Sequence, residues 1–203
     1  MFKSLLTANL YCMALLFILI VFHSTINAQS ARINEFMALN SLTIMDEDGD
    51  YSDWIELYND SPAEVNLDNW SLTDDPDEPQ KWLFPNVDLE PGGYLLVFAS
   101  GKDRIMTDRE LHTNFKLSGD GEYLGLCDAS GKVITEFNPA YPSQKYDVSF
   151  GYFTGEYLAT LSPTPGEENV LSAHSILQRP KLNHPHGMYN EPFDLEITTD
   201  LID

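Results

Sequence analysis

Along Trp54-Ile55-Glu56-Leu57-Tyr58 the side chains alternate with a period of two, Trp54, Glu56 and Tyr58 falling to one face of an extended segment and Ile55 and Leu57 to the other. This pattern predicts a β-strand. Two acidic runs bracket it, Asp46-Glu47-Asp48-Gly49-Asp50 before and Asp74-Asp75-Pro76-Asp77-Glu78-Pro79 after. Their Gly, Pro and Asp content bends a chain, because Gly tolerates unusual dihedrals, Pro fixes φ and Asp bonds its own backbone. The same texture continues on both sides. Residues 32 to 39, apolar at 33, 36, 37 and 39, read as the first strand. Val65, Leu67, Trp70 and Leu72, with Asp68-Asn69 among them, read as a strand pair or one bent strand, and Trp82-Leu83-Phe84 as another. After the turn Pro91-Gly92-Gly93, the run Tyr94 to Ala99 is continuous enough to predict a central strand buried on both faces. Residues 122 to 137, broken at Asp128-Ala129-Ser130-Gly131, predict a hairpin, and Val148 to Tyr152 with Tyr157-Leu158 the last edge pairing. Ser100 to Leu111 is polar and reads as a short helix or a long loop. Short strands about every 8 to 12 residues, with no sustained helical period, predict an all-β sandwich.

The N-terminus departs from this texture. Lys3 precedes an unbroken apolar run from Leu10 to Phe22, and Ile26-Asn27-Ala28 ends in a small residue suited to cleavage. Residues 1–28 therefore read as a signal peptide; the run is shorter than the ~20 residues a membrane-spanning helix needs, so no span is expected in the mature chain. Export would leave Cys127 as the only cysteine, in the strand-like Tyr123-Leu124-Gly125-Leu126-Cys127, where it is expected to be a small buried hydrophobe.

Charge narrows the partners. The formal net charge is −21, which repels phosphate backbones and argues against nucleic acid. With 43% hydrophobic residues the chain can still fill a core, so the acidity belongs to the surface.

Several motifs in order resemble the lamin tail domain family: Ile33-Asn34-Glu35, Trp54-Ile55-Glu56-Leu57-Tyr58-Asn59, Val65-Asn66-Leu67-Asp68-Asn69-Trp70-Ser71-Leu72, Pro91-Gly92-Gly93-Tyr94 and Ser162-Pro163-Thr164-Pro165-Gly166. The resemblance spans residues 31–169 and implies an immunoglobulin-like β-sandwich of the type found in nuclear lamins and in exported bacterial proteins, where such modules position neighbouring domains. The DNA association of eukaryotic lamin tails does not suit this charge. Residues 170–184 read as a linker. Residues 185–203, opening Pro185-His186-Gly187-Met188-Tyr189-Asn190, resemble the start of the C-terminal β module of chitobiases and β-hexosaminidases, cut short at Asp203.

The sharpest chemical candidate is Asp46, Asp48, Asp50 and Asp53, oxygen donors around Gly49 that suit calcium. The spacing is not an EF-hand: Gly49 is fourth, and Leu57 stands where that motif has its Glu. A solvated acidic turn is the plain alternative. Asp74, Asp75, Asp77 and Glu78 form a weaker candidate of the same kind. Asp53 and Glu56 are a poor acid–base pair, and no nucleophile elbow, metalloprotease helix or phosphate loop occurs. His184-Pro185-His186 reads as linker, and His112 as surface or structural. Trp54, Trp70 and Trp82, with Tyr94 and Phe98, are expected in the core; a sugar-binding strip would need at least two of the three Trp exposed on one face. The expectation is a secreted or envelope-associated, non-catalytic binding or attachment module, not an enzyme, with no cofactor unless calcium. Its partner would be a protein or an extracellular polysaccharide. The alternatives are the non-catalytic front of an exported enzyme and a carbohydrate-binding module.

Overall fold

The computed structural model describes residues 31–171, 181–183 and 194–198. The expected signal peptide, His184, His186 and most of the C-terminal module lie outside the described residues. Strands are β1 (Ala31–Met37), β2 (Asp53–Asn59), β3 (Val65–Asn66), β4 (Ser71–Thr73), β5 (Trp82–Leu83), β6 (Asp88–Leu89), β7 (Tyr94–Ala99), β8 (Leu111–His112), β9 (Leu124–Cys127), β10 (Val133–Phe137), β11 (Ser149–Phe153), β12 (Glu156–Thr160), β13 (Lys181–Leu182) and β14 (Ile197–Thr198). Among the described residues there is no helix, and Ser100 to Leu111 resolves as a loop leading into β8.

The strands form an all-β, immunoglobulin-like sandwich. A six-stranded sheet in the order β12-β11-β1-β2-β7-β8 faces a four-stranded sheet in the order β10-β9-β4-β5. The stretch read as one bent strand or a strand pair is divided: β3 pairs with β6 in a small separate sheet, while β4 enters the four-stranded one. The hairpin β9–β10 and the edge pair β11–β12 form as the pattern implies.

The core explains both agreements and departures. Ile33 and Phe36 of β1, Ile55 and Leu57 of β2 and Val97 of β7 pack against Leu72, Trp82, Leu124 and Leu126 of the facing sheet. Ile33 and Phe36 share that face although they are three apart, because the pairing of β1 with β2 slips between Ile33 and Glu35. A bulge of this kind adds one residue and breaks strict alternation. β2 does alternate, yet both its faces are covered: Trp54 packs with Met37 and Phe98 in a second cluster on the outer face of the sheet. β7 is buried only over Val97-Phe98-Ala99; Tyr94-Leu95-Leu96 is half-exposed, and β7 lies one strand from the sheet edge, not at its centre. All three Trp are buried, at 0%, 5% and 2% exposure for Trp54, Trp70 and Trp82, which removes the Trp strip that a carbohydrate platform required.

Gly121 shows how tightly one turn is set. Its φ is +93°, and a Cβ there would collide with the Tyr141 carbonyl oxygen. Tyr141 is fixed in turn, its N–H donating to Glu122 O at 2.9 Å and its ring packed on Phe36 at 4.9 Å. Further along the chain, β13 pairs with β14 in a separate two-stranded sheet, beginning within the stretch read as linker.

Candidate functional site

The acidic loop between β1 and β2 is organised by Asp46. Its Oδ1 accepts the N–H groups of Asp48 and Asp50, each at 3.0 Å, and its Oδ2 accepts Ser52 Oγ at 2.8 Å. Gly49, at φ +84°, makes the turn that brings these donors round. The side chains then meet the loop between β7 and β8. Lys102 Nζ lies 2.7 Å from Asp46, 2.8 Å from Asp48 and 3.0 Å from Asp50. Arg104 bonds Glu47 and reaches Asp48 at 2.9 Å, and Arg109 reaches Glu47 at 2.8 Å. The Glu47 N–H donates back to Glu110. From the other side Asp147, at φ +57°, accepts the N–H groups of Ser41 and Leu42 at 2.8 Å each. The two loops are thus one braced unit.

Electrostatics agree with this geometry. Burial pushes the Asp46 carboxyl up, but Lys102 and the Asp50 and Ser52 donors outweigh it and hold the group down at about 2. Lys102 is raised, since the three carboxylates overcome the burial that disfavours its charge. His112 is fully buried between Ser100 Oγ, 2.8 Å from Nδ1, and Arg104, 3.3 Å from Nε2, and it stacks on Phe98. Burial and then the Arg104 and Lys102 charges lower its pKa, so it is neutral, and the Arg104 donor assigns the imidazole proton to Nδ1.

Of the four aspartates expected to gather, three converge and Asp53 does not. Asp53 opens β2, accepts Asn40 N–H at 3.3 Å, and is pushed up to about 7 by burial. Ligand atoms of Asp46, Asp48 and His112 do lie within 4.8 Å of one another. The centre of the carboxylate group, however, is where the Lys102 ammonium sits, and Arg104 covers His112 Nε2. A cation here would have to displace both. In the second acidic run the side chains disperse: Asp74 pairs with Lys81 at 2.6 Å, while Asp75 accepts the N–H of Asp77 at 2.9 Å within its own turn.

A second polar cluster lies on the outer face of the six-stranded sheet. The β1 bulge brings Asn34 and Glu35 alongside Glu56, all three buried. Glu35 accepts Ser149 Oγ of β11 and the Thr164 N–H at 3.1 Å. Glu56 accepts Asn34 Nδ2 at 2.9 Å and the Gly166 N–H. Asn169 completes the cluster, donating from Nδ2 to Asn34 O and Tyr152 O at 3.0 Å each. Burial pushes Glu56 up to about 7 and raises Glu35 as well, against the bonds that favour their charged forms. These carboxylates serve as acceptors that clasp residues 164–169 onto the sheet. Asp53 and Glu56 face opposite sides of β2, Asp53 accepting the Asn40 N–H and Glu56 bonding Asn34 and Gly166, so they do not form an acid–base pair.

Sequence reasoning passed over Glu35, Asn169, Asp147 and Lys102 as site residues. Lys102 carried a signal, standing with Arg104 and Arg109 as a local basic exception. The others become visible only once distant segments meet.

The braced loops also carry exposed apolar side chains. Leu42, Met45, Ile105 and Met106 are exposed, at 75%, 50%, 52% and 49%. The loop of residues 101–110 also borders a concave pocket of about 500 Å³, whose lining includes Glu47, Leu95, Leu96, Arg109 and Glu110.

The family model of the Lamin Tail Domain matches residues 27–140. The match takes in β1 to β10 and ends before β11, β12 and the clasped segment that complete the six-stranded sheet. No curated protein matches the chain.

Proposed function

The chain belongs to the lamin tail domain family, a family of non-catalytic immunoglobulin-like domains, and from that premise we propose that it is an exported binding or attachment module whose contact surface is the braced loop pair of residues 40–52 and 101–110. One observation carries the reading. The carboxylates of Asp46, Glu47 and Asp48 are held by Lys102, Arg104 and Arg109, while Leu42, Met45, Ile105 and Met106 are left facing solvent on the same two loops. Rigid loops with exposed apolar side chains on a sandwich end are where such folds place recognition. Order in the loops also lowers the entropy cost of binding. The partner is a protein or an extracellular polysaccharide, and the apolar character favours protein.

The test compares the full chain with the double variant Ile105→Asp/Met106→Asp for retention on intact cells and isolated envelopes of the source organism. Retention that falls about tenfold or more in the variant, at an unchanged melting temperature, supports the reading. Equal retention overturns it. A second reading, that the module precedes further β structure in an exported enzyme, is favoured by the separate β13–β14 pair. Sequencing the transcript beyond the codon for Asp203 tests that reading.

A further inference from the structure

A row of rings crosses the outer face of the six-stranded sheet. Arg32 of β1 is in register with Tyr58 of β2, and Tyr58 with Tyr94 of β7. The Arg32 guanidinium lies 4.7 Å from the Tyr58 ring centre and 4.4 Å from that of Tyr152 on β11. Tyr58 and Tyr94 are 4.8 Å apart at 39°. Tyr152, Arg32, Tyr58 and Tyr94 therefore form one ladder across four strands. Glu168, Asn169 and Leu171 make the wall of a groove above it, of about 480 Å³. That wall is fixed, because Asn169 is bonded to Asn34 and Tyr152 backbone.

Three features define an occupant. Four strands at ~4.8 Å spacing make the ladder about 14 Å long, the length of four to five residues of polyproline II at ~3.1 Å each. Aromatic-lined grooves suit that conformation, since its backbone is already extended and loses little entropy. The charge is negative: Arg32 is neutralised by Asp60 at 2.6 Å, Glu168 is on the wall, and the chain carries −21 in all. Asp60, paired with Arg32 in the ladder, keeps 45% of its side chain exposed. The tyrosine faces already hold one cation, that of Arg32.

We infer that this groove docks an extended, proline-containing basic peptide segment of a partner protein, its prolines seated along the Tyr152–Arg32–Tyr58–Tyr94 ladder and its Lys or Arg side chains directed to Glu168 and Asp60. The groove is distinct from the loop pair, and neither reading depends on the other.

The experiment uses the full chain and a fluorescein-labelled Lys-Pro-Pro-Lys-Pro-Pro-Lys peptide, read by fluorescence anisotropy, with the Glu-for-Lys peptide as control. Tyr152→Ser, Glu168→Lys and Leu171→Glu test the groove; Asp77→Lys, in the turn between β4 and β5, has the same charge change as Glu168→Lys and tests bulk attraction. Saturable binding of the basic peptide alone is expected, weakened about tenfold by Tyr152→Ser and by Glu168→Lys and less than about twofold by Asp77→Lys. If Tyr152→Ser lowers the melting temperature, Leu171→Glu and Glu168→Lys, both at exposed positions, carry the comparison. Equal weakening by Asp77→Lys, equal binding of the acidic peptide, or no binding overturns the inference. So does a chito-oligosaccharide that shifts the groove's tyrosine resonances when the peptide does not.

Discussion

Replacing Glu56 by Gln removes one buried charge and leaves the shape of the clasp almost unchanged. Glu56 is fully buried, its Oε1 accepting Asn34 Nδ2 and its Oε2 the Gly166 N–H. Burial is the largest influence on its pKa; the Gly166 and Asn34 bonds oppose it, the Glu35 charge adds to it, and the result is about 7 against an ordinary 4.5. The folded chain therefore keeps a proton that the unfolded chain loses between those values. Stability from this group is complete below pH 4.5 and is lost as pH rises through about 7, a total of about 3 kcal/mol at 1.36 kcal/mol per unit. Gln has no such loss. It does set an amide donor against Asn34 Nδ2 or the Gly166 N–H. Asn34 cannot simply flip to accept, because its Nδ2 also serves Asn169 Oδ1 at 3.1 Å. That mismatch costs about 1–3 kcal/mol at any pH. Urea unfolding followed by tryptophan fluorescence at pH 5, 6, 7 and 8 should thus find the variant less stable at pH 5 by about 1–3 kcal/mol, with the gap closing or inverting by pH 8. Parallel pH profiles for the two proteins would refute the argument. The other titrating groups, Asp53, Glu35 and His112 among them, are common to both and largely cancel in the difference.

Further outcomes follow from the same structure. Asn169→Ala leaves Asn34 O and Tyr152 O without their donor and should cost about 1–3 kcal/mol in urea unfolding. Gly121→Ala forces a Cβ against the Tyr141 carbonyl at φ +93° and should lower the melting temperature by about 2–4 °C for each kcal/mol lost, with a loss above 1 kcal/mol. Lys102→Met takes the ammonium from Asp46, Asp48 and Asp50, so it should lower the melting temperature and make it calcium-dependent in scanning calorimetry; a melting temperature indifferent to calcium in the variant would return those carboxylates to a solvated turn. The proposed export, read from the sequence of residues 1–28, predicts that amino-terminal sequencing of the secreted or envelope fraction begins at Gln29.

Strand identity was legible because period-two alternation survives in β2 and the turn residues at Pro91-Gly92-Gly93 and Asp128 to Gly131 carry their own chemistry. The β1 bulge was not legible: positions 33, 36, 37 and 39 fail to alternate, but only the pairing with β2 shows that an inserted residue is the cause. Three of the four aspartates cluster because a D-x-D-x-D run around a glycine brings its carboxylates round to one point, the Lys102 ammonium. Asp53 is excluded by belonging to the next strand. That the loop meets Lys102, more than fifty residues away in sequence, depends on β2 pairing with β7, and nothing local to Asp46 encodes it. The motif segments 33–35, 54–59 and 162–166 looked like separate family marks; in the fold they touch, Glu35 and Glu56 receiving Thr164 and Gly166.

The central claim is that carboxylates hold the irregular segments of this sandwich rigid, Asp46 for the loop between β1 and β2 and Glu35 and Glu56 for the clasp. Residue-resolved hydrogen exchange on the native full chain tests it directly. The amides of Asp48, Asp50, Thr164 and Gly166, none of them in a strand, should exchange at least about a hundredfold more slowly than in an unfolded chain, reflecting an opening cost of roughly 3 kcal/mol. Exchange of these amides at unfolded-chain rates, beside protected neighbours in β1 and β2, would contradict the account.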